Sequence, residues 1–250
     1  MRRKRTSGFP TATKRFRSSW TARKGAPDIM VRVYLTEITE ISEAEGKGAA
    51  YARERQSAAA RRLLMLALEK EYPESAGAFR TEQVVKDERG KPYLAGYPDI
   101  HISLSHSGRL AACAVGKKPV GVDVELRKMR QNRERVARKL HAAEQEWLAA
   151  RAEEEQEKAF YDLWVRKESF LKATGEGLRL ALDSFCTVGD ELWTCGLYSG
   201  TAERVRQNSG DSAYFIRQYE LAGGRYSLAV CSEETDFVEE PVWLSAEREF

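Results

Sequence analysis

The sequence predicts an α+β protein built from two similar halves, and three observations predict it. Each half of the chain runs from a helix-rich stretch into a pair of strands. The stretch "GRLAACAV" (108–115) is echoed by "GRYSLAVC" (224–231), with the halves meeting near residues 117–120. Finally, 250 residues make one large domain or two small ones, enough chain for a real core.

The elements follow in order. "IMVRVYL" (29–35) reads as a first strand. Residues 42–72 read as helix, most strongly from Ala49, where Ala, Arg, Leu and Glu dominate; Leu63, Leu64, Leu66, Ala67 and Leu68 predict a buried second half. "DERGKPYL" (87–94) is a turn into a short strand. "IHISLSHSGRLAACAVG" (100–116) reads as strand, tight turn at Ser107-Gly108, strand, and "KPVGVDVEL" (118–126) as the next strand. A helical stretch follows, its first part (127–139) holding seven Lys or Arg against Glu134, its next (144–157) six Glu. Residues 155–177 form a long helix stopped by Gly175 and Gly177. "FCTVGDELWTCGLYS", "AYFIRQYEL" and "RYSLAVCS" read as three closing strands.

Composition narrows the class. No stretch approaches 18 consecutive apolar residues, so no membrane span is expected, and no apolar segment follows the basic N-terminus as in a secretory signal. Residues 1–28 hold nine of the 41 basic side chains and one of the 38 acids, so the body is mildly acidic and the extension makes the chain basic. The extension is expected to be disordered, with contact to an anionic surface as the other reading. Cys113, Cys186, Cys195 and Cys231 lack C-x-x-C spacing and read as reduced core or strand cysteines of a cytoplasmic protein.

Chemistry concentrates in "GVDVE" (121–125). Alternation along a strand sends Asp123 and Glu125 to the same side. Two neighbouring carboxylates repel and are costly to bury. Either a divalent cation, best Mg²⁺, resolves this, or the pair is the solvated face of an edge strand. On the long helix, Phe160, Leu163, Trp164 and Leu171 make an apolar stripe, with Glu168 and Lys172 one turn apart at its margin. Lys167 falls within the stripe, where a lysine needs an anionic partner. Ser105 and His106 sit at a strand-to-turn junction and Lys91 in a turn, each a candidate phosphate contact or an ordinary structural residue.

Taken in order, "GKPYL", "ISLSHSG", "GVDVE" and "WVRKESFLKATGEGL" resemble the 4′-phosphopantetheinyl transferase family, in its Sfp type, over roughly residues 30–235. The resemblance implies two α/β subdomains related by pseudo-twofold symmetry, residues 29–118 and 119–235, between a basic extension (1–28) and a C-terminal tail (236–250). It implies Mg²⁺-dependent transfer of the phosphopantetheine arm of coenzyme A to a serine of an acyl or peptidyl carrier protein, releasing adenosine 3′,5′-bisphosphate. Asp123, Glu125 and Glu168 would then hold Mg²⁺ with the pyrophosphate, and Lys172 would contact phosphate on the reacting side. Lys91, Ser105 and His106 would bind the nucleotide and phosphates, Arg61 the 3′-phosphate, and Lys167 matches the family's Lys-Glu pair; Lys47, Arg53 or Arg55 would supply further 3′-phosphate contacts. Glu168 is the first candidate base and Glu144 the second. Arg127, Lys128, Arg130, Arg133 and Arg135 offer a positive docking patch for an acidic carrier. A monomer is expected. The competing classes are a Mg²⁺-dependent nucleotide or pyrophosphate hydrolase, and a nucleic-acid-binding module reading through the basic extension.

Overall fold

A computed structural model describes residues 30–38, 48–128, 133–188, 203–206, 213–221 and 223–245. Its strands are β1 (Arg32–Glu37), β2 (Val84–Lys86), β3 (Pro92–Leu94), β4 (His101–Ser107), β5 (Leu110–Gly116), β6 (Val120–Leu126), β7 (Glu203–Arg206), β8 (Ala213–Glu220), β9 (Tyr226–Ser232) and β10 (Val242–Trp243). Its helices are α1 (Gly48–Glu71), α2 (Arg133–Ala137), α3 (Ala142–Ala149) and α4 (Glu153–Thr174). The fold is therefore mixed α/β. Two four-stranded sheets form, in the orders β10-β1-β5-β4 and β6-β9-β8-β7, with β2-β3 as a separate hairpin.

Period-two alternation explains how the layers stack. Val33 and Leu35 of β1 and Leu110, Ala112 and Ala114 of β5 share one core with Val120, Val122 and Val124 of β6 and with Leu228 and Val230 of β9. The intervening residues face outward: Tyr34, Ala111, Cys113 and Val115 pack on α1. On the second sheet Ile216, Ala229 and Cys231 pack on Val165, Phe170 and Ala173 of α4. Each sheet thus has one face on the other sheet and one under its own helix. In β6 the residues between the valines are Gly121, Asp123 and Glu125, turned away from the shared core and towards α4.

Gly121 sets how close α4 comes. A Cβ there would lie 2.1 Å from the Ser169 carbonyl oxygen and 2.3 Å from the Ala173 nitrogen, both backbone atoms of the helix. Backbone cannot rotate aside as a side chain can, so Gly121→Ala must push α4 off the sheet. We expect a loss of about 3 kcal/mol in urea unfolding together with loss of the site described below. Wild-type stability in that variant would show that the contact is not limiting. At its far end α4 stops at Gly175, whose φ of 73° is left-handed and whose N–H donates to Leu171 O.

Several expectations are corrected. Leu66 is 37% exposed, because the helical period of α1 directs Leu63, Leu64, Ala67 and Leu68 inward and Leu66 outward. Phe185–Val188 are not strand; they form an irregular buried segment whose polar groups are tied to α3 and α4. The remainder of that expected strand, with Cys195, lies outside the described residues. Sequence reading offered no strand after Ser232, yet β10 pairs parallel with β1, and Val31 N donates to Asp236 O at 2.7 Å. Cys113, Cys186 and Cys231 are buried free thiols. Among the described residues no helix is long and apolar enough to cross a membrane.

Candidate active site at the seam between the sheets

The two sheets meet at their edge strands β4 and β6, and there they do not pair as a ladder. The outer edge of β6 instead donates its alternate N–H groups to serine hydroxyls. Val122 N donates to Ser103 Oγ at 3.0 Å, Val124 N to Ser105 Oγ at 3.2 Å, and Leu126 N to Ser107 Oγ at 3.0 Å. A side-chain acceptor holds two strands farther apart than a carbonyl does. Alongside this seam opens a cleft of about 570 Å³.

Carboxylates gather on one side of the cleft. Asp123 is 5% exposed; its Oδ1 accepts from Ser105 Oγ at 2.8 Å and Lys172 Nζ at 2.7 Å, while its buried Oδ2 has no hydrogen-bond partner. Glu125 Oε2 accepts from Ser107 Oγ at 2.8 Å. Glu168 enters from α4. Lys172, one helical turn further on, also donates to Val122 O at 2.9 Å and Leu104 O at 3.5 Å, so one ammonium touches both sheets. Burial pushes the Asp123 carboxyl above its ordinary range, against the pull of Lys172. Burial and the neighbouring Asp123 push Glu168 up to about 7.

This shift has a pH signature. Glu168's folded value lies above its ordinary 4.5, so the folded state keeps a proton that the unfolded chain releases as pH rises from 4.5 to about 7. Stability from this group is greatest at the acid end and falls across that window. In EDTA, Glu168→Gln should remove on the order of 2 kcal/mol of the decline seen by urea unfolding between about pH 5 and about pH 8. An unchanged slope would contradict the shift.

Cations also line the cleft. Arg61, Lys86, Arg89 and Lys91 border it, together with His106, and Trp164 and Leu171 supply apolar wall. Lys91 lies over Gly175 and its Nζ donates to Ala173 O at the C-terminal end of α4, where the helix dipole favours a cation. Burial lowers its pKa. Arg89 crosses the seam to Glu176 Oε1 at 2.7 Å. Burial, then the charge of Lys172, depresses His106 and favours its neutral form.

The cleft thus brings together Arg61, Lys91, Ser105, His106, Asp123, Glu125, Glu168 and Lys172. It does not include Glu144 or Lys167. Those two are fully buried behind α4 and bonded to each other at 2.6 Å, so Glu144 has no access to a substrate proton and Lys167 none to a ligand. Arg127 is also consumed. Its guanidinium donates to Ser227 Oγ, Gly224 O and Asp162 Oδ1, which removes it from any docking surface. Arg55 packs on Tyr51, Arg53 is exposed outside the cleft lining, and Lys47 and Arg130 lie outside the described residues.

Sequence reasoning missed Lys86, Arg89 and Trp164 as cleft residues. Lys86 and Arg89 share the β2–β3 hairpin with Lys91, and that cluster of three cations in six residues was the available signal. Trp164 was counted with the apolar stripe. It stacks on Phe160 with centroids 6.4 Å apart and borders the cleft.

Comparison with known proteins defines the class. The profile of the 4′-phosphopantetheinyl transferase superfamily matches residues 119–231, the half carrying Asp123, Glu125, Glu168 and Lys172. A 4′-phosphopantetheinyl transferase of Bacillus subtilis is 40% identical over 151 residues, 60% of this chain and 62% of that protein. The transferase Sfp of Bacillus subtilis strain 168 is 36% identical over 160 residues, 64% of this chain and 67% of Sfp. A third, from Bacillus pumilus, is 30% identical over 173 residues, 68% of this chain and 70% of the relative. The chain belongs to the 4′-phosphopantetheinyl transferase superfamily. Its matched regions span about two thirds of the length of these relatives.

Proposed function

We propose that the seam cleft moves the 4′-phosphopantetheine arm of coenzyme A onto a serine of an acyl or peptidyl carrier protein, releasing adenosine 3′,5′-bisphosphate. One observation carries this reading: three carboxylates and a row of cations border the same cleft, as a pyrophosphate and its counter-ion require. Arg61, Lys86, Arg89 and Lys91 would hold the phosphates of the nucleotide end, with His106 and Ser105 beside them. Lys172 would turn from Asp123 towards the leaving diphosphate.

Mg²⁺ fits the donor set. Asp123 Oδ2 is a buried oxygen with no partner, Glu125 raises the proton affinity of Asp123, and Asp123 and Glu125 together raise that of Glu168, a repulsion that a divalent cation relieves. Among the described residues no preformed cluster of three such side chains stands ready to hold a metal, which fits ligands now bonded to Ser105, Ser107 and Lys172. When bound, the ion would neutralise charge on the diphosphate. Glu168, with a proton affinity near neutrality, is the candidate to accept the carrier serine's proton.

Lys128, Arg133 and Arg135, with Arg130, are proposed to meet the acidic carrier. The division at residues 118/119, a pseudo-twofold relation between the halves and a monomeric chain belong to the same proposal. Its buried free thiols support a reducing, cytoplasmic setting. The decisive experiment incubates the chain with coenzyme A, Mg²⁺ and an apo carrier, and reads the carrier's intact mass. The carrier should gain the phosphopantetheine mass, and a Ser→Ala carrier should not. Release of the bisphosphate without any carrier would instead identify a hydrolase.

A further inference from the structure

The β4 sequence "HISLSHS" places Ser103, Ser105 and Ser107 at every second position, and the three hydroxyls differ in one respect. All three accept an N–H from β6. Ser105 and Ser107 also donate, to Asp123 Oδ1 and Glu125 Oε2, each at 2.8 Å. Ser103 has no carboxylate opposite it, because the residue at the matching place in β6 is Gly121. Each of the other two serines is therefore locked at both ends, accepting from the strand and donating to the acid that the strand carries. A hydroxyl with both roles fixed cannot rotate, and neither can the carboxylate it grips. The grip on Asp123 takes Oδ1, so Oδ2 is the oxygen left without a partner, on a residue that lines the cleft.

We propose that Ser105 and Ser107 are positioning residues for the cation-binding carboxylates, fixing the orientation of Asp123 and Glu125 before any ligand arrives. They act as outer hydrogen bonds to ligand groups, and loss of such bonds typically weakens metal affinity about 10- to 100-fold. The proposal rests on the reading of Asp123 and Glu125 as divalent-cation ligands in a transferase. Ser103 is the internal control: its loss orphans a buried N–H, as theirs does, without releasing a carboxylate.

The test measures Mn²⁺ binding to the full chain by loss of the free-ion electron paramagnetic resonance signal, with urea unfolding in EDTA alongside. Ser105→Ala and Ser107→Ala should each weaken Mn²⁺ affinity at least about tenfold. Ser103→Ala should lower stability as Ser105→Ala does, yet hold Mn²⁺ within about threefold of wild type. Should Ser105→Ala not fold, Ser107→Ala, at the more open end of the seam, carries the test. Wild-type affinity in Ser107→Ala, or an equal loss in Ser103→Ala, overturns the proposal. So does a wild-type chain that binds no Mn²⁺. Carrier mass is read in parallel. A wild type that forms holo carrier while its serine variants bind Mn²⁺ normally removes this inference alone; one that forms none removes the reading beneath it.

Discussion

Asp123→Ala is expected to lower holo-carrier formation at least about 10³-fold, some 4 kcal/mol of transition-state stabilisation. The loss should appear in kcat, with the fold intact. Asp123 is buried, its ionised form is disfavoured by that burial, and one of its oxygens has no partner. A carboxylate held in that state contributes little to folding in the absence of a cation, so the variant should unfold in EDTA close to wild type. Asp123→Asn separates shape from charge. An amide can still accept from Ser105, but it cannot neutralise Lys172 or offer an anionic oxygen. It should be as inactive as the alanine variant. Turnover near wild type in either variant would falsify the assignment of Asp123 to the cation.

How much of this was legible depended on the range of the interaction. The alternation V-G-V-D-V-E in β6 is local, so the shared side of Asp123 and Glu125 could be read directly, as could the strand-turn-strand around Gly108 and the stop of α4 at Gly175. The serine spacing in β4 was equally visible, but its purpose was not. It depends on two sheet edges meeting, and nothing in either strand alone says that β6 will lack a backbone partner on that side. Arg127 failed for the same reason. It opens a run of basic residues in the sequence, whereas its three partners lie 35 to 100 residues away. β10, two residues long, is too short to carry a periodic signal and exists because β1 offers it an edge. The proposed roles of the cleft residues came from ordered motifs rather than from geometry.

Lys167 shows both sides of this limit and yields the second large effect. Its place in the apolar stripe of α4 demanded an anion, and that demand is met by Glu144, 23 residues earlier, instead of by a phosphate. Lys167 and Glu144 are both 0% exposed. Glu144 uses every acceptor position: Oε2 takes Lys167 and the His141 N–H, and Oε1 takes the N–H and hydroxyl of Thr187. Lys167 also donates to Phe185 O at 2.7 Å and lies 3.8 Å above the Phe185 ring. The knot fastens α3 and the 185–187 segment to the back of the helix whose front carries Glu168 and Lys172. Lys167→Met should cost about 3–5 kcal/mol in urea at neutral pH, because a buried carboxylate is left without its counter-charge. Adding Glu144→Gln should recover part of the loss at neutral pH for the same reason. A lysine that served a ligand instead would give the opposite pattern: a raised KM for coenzyme A, unchanged unfolding, and no rescue by the second substitution.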